Sequence, residues 1–362
     1  MNLIPKCVLL VACTNATAND EIADQPPRSE SSTLPALHFT GDARYRYEDI
    51  DSLGPQYDRQ RVRARFGVEA DVTPTSRAVF KLSTGSGDPR SAHITFSGGY
   101  SRKEVGVDLA YLAWKPSDAV VVSVGKIVHP TWRPRQSLFI GGDFNPEGVA
   151  LRYAADSGIF TSGYSFWLED GSSSEDARHH GAQLGYALES KATAWTVAIS
   201  FNELTHVKGA LPFLDGANAF GNSVDSSGTF ASEFEILDAS TQWTHHSHVF
   251  STTLFAHAAH NTRAQRSADA YALGAELAPK LLPYDLRGSY QYARIGQDSL
   301  FGQHMDGDFG GGVTNSRGHV FRLSSQPSAR TRATLSYFDN EVGHAAARYD
   351  FKLIQLDVDL LF

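Results

Sequence analysis

Hydrophobic and polar residues alternate with a period of two along most of the chain from Leu37 onward. In "HFTGDARYRYE", Phe39, Gly41, Ala43, Tyr45 and Tyr47 share one parity, while Asp42, Arg44, Arg46 and Glu48 share the other. In "RQRVRARFGVEADV" (59–72), Val62, Ala64, Phe66, Val68, Ala70 and Val72 alternate with Arg61, Arg63, Arg65, Glu69 and Asp71. Successive side chains of a strand point to opposite faces, so each segment has an oily face and a charged face. Further segments of the same kind lie near 77–84, 105–114, 119–127, 147–154, 159–168, 181–188, 193–202, 234–244, 249–258, 270–277, 284–294, 319–326, 331–339 and 349–362. They amount to about sixteen strands.

The connections alternate between short and long. Residues 73–76, 115–119, 155–158, 189–192, 244–248, 279–283 and 326–330 are short; 49–58, 85–104, 128–146, 169–180, 203–233, 259–269, 295–318 and 340–348 are long. Short turns at one end, long loops at the other and an even strand number are the plan of an outer-membrane β-barrel, with the short turns and both termini in the periplasm. The fold class expected is therefore all-β, a transmembrane antiparallel β-barrel over 37–362. In the last strand Ile354, Leu356, Val358, Leu360 and Phe362 share a face against Gln355, Asp357 and Asp359. Tyr349, Phe351 and Leu353 fall on the other parity, which predicts a β-bulge near Leu353. The terminal Phe362 fits a signal for the outer-membrane assembly machinery. Tyr45, Tyr47, Tyr111, Trp114, Phe166, Trp167, Trp195, Trp243, Tyr290 and Tyr292 cluster at strand ends and predict an interfacial girdle.

Composition agrees. The 362 residues are 41% hydrophobic and 20% charged, and after the N-terminus no apolar run reaches the length of a membrane helix. A net charge of −8 without a basic tail argues against a nucleic-acid partner. Both cysteines, Cys7 and Cys13, lie in "MNLIPKCVLLVACTNATAND", which reads as a signal peptide over 1–18 cleaved after Ala18. "LVAC" also fits a lipoprotein box acylated at Cys13. Polar, Pro-containing residues 19–36 read as a disordered lead-in.

In a barrel this wide the interior is aqueous and the exterior faces lipid, where an arginine at the bilayer midplane costs about 2–4 kcal/mol. Arg44, Arg46, Arg61, Arg63 and Arg65 are thus expected to line the pore. Lys81, Lys126 and Arg152 are further inward candidates, and Asp285, Arg287, Arg322 and Arg332 belong to the far wall. An arginine wall points to anion preference. A second reading has these arginines pair with Asp42, Glu48, Glu69 and Asp71 and stiffen the wall.

Five strings, "RQRVRARFGVEADV" (59–72), "KLSTGSGDPRS" (81–91), "VGVDLAYLAWKP" (105–116), "VGKIVHPTWRP" (124–134) and "GDFNPEGVALRY" (142–153), resemble, in the same order, the putative porins of Gram-negative outer membranes, a sixteen-stranded-porin-like family. The resemblance implies passive diffusion of small hydrophilic solutes and ions, no enzyme activity and no cofactor. By analogy with sixteen-stranded porins it also implies a homotrimer and a loop, 128–146, folded inward to narrow the pore. That loop and its exit carry Arg133, Arg135, Asp143 and Glu147, the last two expected to face the arginine wall across the constriction. Outer-membrane lipid and lipopolysaccharide are the expected surroundings.

Other patterns point elsewhere less firmly. His179-His180, His245-His246, His248, His257 and His260 lack convergent metal-ligand spacing. "EDGSSSED" (169–176) and "GQDSLFGQHMDGDFGGG" (296–312) read as surface loops. A barrel enzyme, with a hydrolytic or proteolytic residue set at one depth, and a plugged structural or adhesive barrel are the competing functions.

Overall fold

A computed structural model of the chain describes residues 36–97, 99–169, 175–214, 216, 218–281, 285–343 and 347–362. The signal peptide, Cys13, nearly all of the lead-in and most of 169–176 lie outside the described residues.

The strands are β1 (Ala36–Asp51), β2 (Tyr57–Thr73), β3 (Ser76–Thr84), β4 (Ile94–Thr95), β5 (Val105–Ser117), β6 (Val120–Lys126), β7 (Glu147–Ala154), β8 (Ile159–Glu169), β9 (Ala177–Glu189), β10 (Thr193–Thr205), β11 (Phe234–His246), β12 (Phe250–Asn261), β13 (Asp269–Pro279), β14 (Arg287–Ile295), β15 (Ser316–Ser328), β16 (Thr331–Val342) and β17 (Tyr349–Leu361). Every neighbouring pair is antiparallel. β17 returns to pair with β1 from Asp42↔Leu361 to Asp51↔Lys352, so the sheet closes and no edge is left. β4 is a two-residue piece of the β3–β5 loop that extends the short β3 along β2, through Arg61↔Thr95 and Val62↔Ile94. The other sixteen are the barrel strands.

Closure also involves the last residue. Gly41 N–H donates to the Phe362 carbonyl at 2.8 Å, and Phe362 N–H donates to the Gly41 carbonyl at 3.0 Å. The Phe362 ring lies over Gly41, occupying the space a side chain there would need.

The outer face is apolar. Phe39, Tyr45, Phe66, Phe80, Leu112, Leu184 and Leu254 are among its exposed side chains. A continuous apolar surface of this extent is stable only against lipid. Trp114, Trp195 and Trp243 stand on that face near the short-turn end, and Trp167 stands near the loop end. The girdle expectation fails at Phe166 and Tyr111. Phe166 is 1% exposed and packs inside the barrel with Tyr164, Ile127 and Ala150, and Tyr111 rests against the same group.

The inner face changes character along the barrel axis. Toward the short turns it is polar, with Ser200, Ser240, Thr253, Glu276 and Ser336. Toward the loops it becomes apolar: Ile50, Leu204, Ile236, Ile295, Val320, Phe338, Phe351 and Leu353 form one cluster with Leu138, Phe139, Phe230, Phe301, Met305 and Phe309 from the connections. The expected bulge near Leu353 is therefore absent. β17 pairs in unbroken register on both sides, and Phe351 and Leu353 share the inward parity of Gln355, Asp357 and Asp359. Their apolar nature has another cause: the loops fold into the mouth and bring an apolar surface with them. At about 1.5–3 kcal/mol per large buried side chain, this cluster outweighs the loss of water at the inner wall.

The stretch 296–312 is accordingly no surface loop. Ser299, Met305 and Phe309 are fully buried, and Leu300, Phe301, Gln303 and His304 nearly so.

Candidate pore constriction

The connection 127–146 leaves β6, runs along the inner wall and returns to β7. Its Pro and Gly residues prevent regular structure, so its backbone groups need outside partners. The barrel wall supplies them through side-chain amides. Gln183 of β9 accepts from Trp132 N–H at 2.7 Å and donates to the Trp132 carbonyl at 2.9 Å. Gln242 of β11 accepts from Arg135 N–H at 2.9 Å. Gln136 donates to Ser289 at 2.9 Å and accepts from Arg322 at 2.9 Å. The Phe139 ring stacks on His257 at 4.0 Å. Past that point the segment joins the 296–315 connection: Gly141 N–H donates to the His304 carbonyl at 2.7 Å, and Asp306 N–H to the Leu138 carbonyl at 3.1 Å.

The segment ends on the arginines. Asp143 Oδ1 lies 3.4 Å from Arg63 and 3.6 Å from Arg65, and its Oδ2 accepts from Ala92 N–H at 3.0 Å. Burial alone would raise the Asp143 pKa, but the charges of Arg63 and Arg65 and the Ala92 N–H outweigh it and hold the carboxyl below its usual range. Asp308 brings the 296–315 connection to Arg46 at 3.1 Å; burial opposes ionisation there, and Arg46 outweighs it. The 85–104 connection adds Arg90, whose guanidinium pairs with Asp88, donates to the Gly312 carbonyl at 2.7 Å and lies 3.4 Å from the Phe220 ring centroid.

All five expected wall arginines stand on the inner face. They pair with Asp42 and Glu48, as the second reading expects, whereas Glu69 and Asp71 are taken by Arg77, and the arginines do not face open water. Arg63 and Arg65 are buried under the inward-folded connections, and six guanidiniums meet six carboxylates. Arg44 pairs with Asp357 and Asp359; Arg46 with Glu48, Asp308 and Asp357; Arg59 and Arg61 with Glu48; Arg63 with Asp42, Asp143 and Asp359; Arg65 with Asp42 and Asp143. Asp143 touches the wall instead of facing it across open water. This network follows from register: Asp42 stands opposite Arg65 on β2, and Asp359 and Asp357 of β17 stand opposite Arg44 and Arg46. Asp308 was not foreseen, since its partner Arg46 is 262 residues away.

Of the other candidates, Lys81 stands on the inner face of β3, and Arg152 stands on the inner face of β7 opposite Ser162. Arg133 donates to the Ile140 carbonyl at 3.1 Å, and Arg135 reaches Glu276 at 3.4 Å, a residue that Arg287 also contacts at 3.4 Å. Lys126 and Glu147 need correction. They pair with each other at 3.3 Å where β6 and β7 meet the loop, and Glu147 shares the exposed parity of Val149 and Leu151. Neither meets the arginines, because alternation along β7 turns Glu147 outward.

Behind the segment lies an aromatic cluster that sequence reasoning missed. His129, His179 and His304 pack with Tyr164, Phe144 and Phe166, the His179 and His304 rings stacking at 5.2 Å. Burial, with Arg133 and the neighbouring imidazoles, keeps His129 neutral; burial and His179 do the same for His304. Among the described residues no group of histidines, cysteines and carboxylates is arranged to hold a metal ion.

Three solved structures illustrate the likeness of fold. OprB of Pseudomonas putida superposes with a TM-score of 0.63 at 10% identity, covering 90% of this chain and 94% of its own. OmpF of Salmonella typhi gives 0.57 at 12% identity, covering 90% and 97%. A triple mutant of the Rhodopseudomonas blastica porin gives 0.54 at 10% identity, covering 90% and 100%. No curated protein sequence matches the chain. Residues 51–229, from the end of β1 through the 127–146 connection to the β10–β11 connection, match the family model described as putative porin. That match over about half the chain and the closed sixteen-stranded barrel identify a porin-type channel, through which small solutes diffuse passively across the bacterial outer membrane.

Proposed function

We propose that this porin passes small hydrophilic solutes through a narrow constriction formed by the 85–104, 127–146 and 296–315 connections, with weak discrimination between ions of opposite sign. The observation that carries this reading is the contact of Asp143 with Arg63 and Arg65, by which the inward segment closes on the wall. Six guanidiniums balanced by six carboxylates project little net field, so the anion preference expected from a bare arginine wall is not retained. Arg152, Lys81 and Arg332 are inward cations outside this network, available to bias passage toward the short-turn end. The channel performs no bond-making chemistry, assembles as a homotrimer and is recognised by the assembly machinery through Phe362.

Folded protein in planar bilayers under a salt gradient tests the reading. Small steady conductance with a reversal potential near zero is expected, and chemical cross-linking should give trimers. Absence of conductance from barrels verified as folded would overturn the channel, and a strong anion preference would overturn the neutral constriction.

A further inference from the structure

On the outer wall, toward the loop end of β9 to β16, lies a furrow of about 1080 Å³. Strand parity assigns its apolar lining to the lipid-facing side: Leu184, Ile199, Leu237, Ala239, Ala258 and Tyr271. Ala239 and Ala258 stand directly opposite each other on β11 and β12, and these two small side chains form its floor. A second hollow of about 720 Å³ shares Leu184, Ile199, Ala239, Ala258 and Tyr271 and continues toward the bilayer midplane past Val197 and Leu273. Together they make an apolar track starting near the loop end and running into the membrane.

The upper end is cationic. Arg294 of β14 and Arg317 of β15 are direct cross-strand partners, both on the outer face. Like charges placed opposite each other are destabilising unless an anion lies between them. Arg317 and Arg348 share one carboxylate, Glu341, at 2.8 and 3.1 Å. Among the described residues Arg294 has no acidic side chain in salt-bridge range. The other acid at the rim, Asp269, is held by His260 at 2.8 Å. The rim thus offers guanidinium donors in excess of carboxylates, beside an apolar track. Bidentate pairing with phosphate is the interaction guanidiniums make best.

We propose that this furrow seats one phosphorylated glycolipid of the outer leaflet, with a phosphate bridging Arg294 and Arg317 and an acyl chain lying over Ala239 and Ala258. Arg348 supplies a third donor. The site is independent of the constriction and of the proposed ion selectivity.

The test uses detergent-purified full-length protein incubated with lipid A and examined by native mass spectrometry. Wild type should retain one lipid A per chain through partial detergent removal. Arg294→Ser with Arg317→Ser should lower retention at least tenfold, and so should Ala239→Trp, which fills the track and leaves the arginines intact. Heat-modifiable gel migration verifies that each variant is a folded barrel. Equal retention by the double variant, or of dephosphorylated lipid A by wild type, would overturn the phosphate site. Equal retention of phosphatidylglycerol would overturn the assignment to a glycolipid. If Ala239→Trp dissociates oligomers and leaves lipid A retention unchanged, the occupant is a second copy of the chain and the proposal fails.

Discussion

Asp143 is one residue on which both the geometry of the proposed constriction and its charge balance depend. Its carboxylate is the contact through which the 127–146 segment reaches Arg63 and Arg65, and it also fixes the 85–104 connection through Ala92. Asp143→Asn keeps the shape and removes one negative charge. Removing one partner of a buried pair costs about 3–5 kcal/mol, and less here because both arginines keep Asp42. The six-against-six balance becomes six against five, so the reversal potential should move toward anions; an unchanged potential would mean that the network does not face the permeation path. The pH dependence has a definite sign. The carboxyl is held below its unfolded value of about 3.9, so the unfolded chain binds the proton first as pH falls. The contribution of Asp143 is complete above about pH 4 and is lost as pH drops from there through its folded value. Urea midpoints measured from pH 6 to pH 3 should fall less steeply for Asp143→Asn than for wild type.

At the scale of elements, the inner wall near the mouth holds the connections in place. Phe309 is fully buried against Val320, Phe338, Phe351 and Leu353, and truncating a buried Phe to Ala costs about 3–5 kcal/mol. Phe309→Ala should leave the barrel intact, render 296–315 sensitive to protease and raise conductance, since that connection also carries Asp308 to Arg46. Protease resistance and conductance equal to wild type would show that the cluster does not hold the loops. The same band marks the limit of what the sequence conveys. All sixteen barrel strands are legible because one face meets lipid, and alternation records that contact wherever it occurs. The inward direction of Arg44, Arg46, Arg61, Arg63 and Arg65 follows from the same parity. Phe351 and Leu353 were misread as a slip in parity because their partners, Phe309 and Met305, sit in a Gly- and Asp-rich segment that looks solvated. Glu147 was misplaced for a related reason: at a strand end the oily face gives way to water, so a charge no longer marks the inside. Which loops enter the lumen is decided by contacts across the barrel, and local composition does not encode them.

For the whole molecule, the ion network lies on the seam where the chain closes on itself. Arg44 pairs with Asp359 across 315 residues and Arg46 with Asp357 across 311, while Arg63 extends the network to β2. β1 and β17 can pair only after the strands between them are arranged in order, so these contacts carry the largest loop-closure entropy and form late. Contacts made after the transition state act mainly on the unfolding rate. Asp357→Asn with Asp359→Asn removes the two β17 carboxylates of the network and leaves Arg44 without a carboxylate partner and Arg46 with Glu48 and Asp308. Unfolding in urea, followed by heat-modifiable migration, should then accelerate by about tenfold for each 1.4 kcal/mol lost, with the refolding rate into vesicles nearly unchanged. If refolding slows by the same factor instead, β1 and β17 meet early, and the charges at the seam would guide the two ends of the chain together before the wall between them is complete.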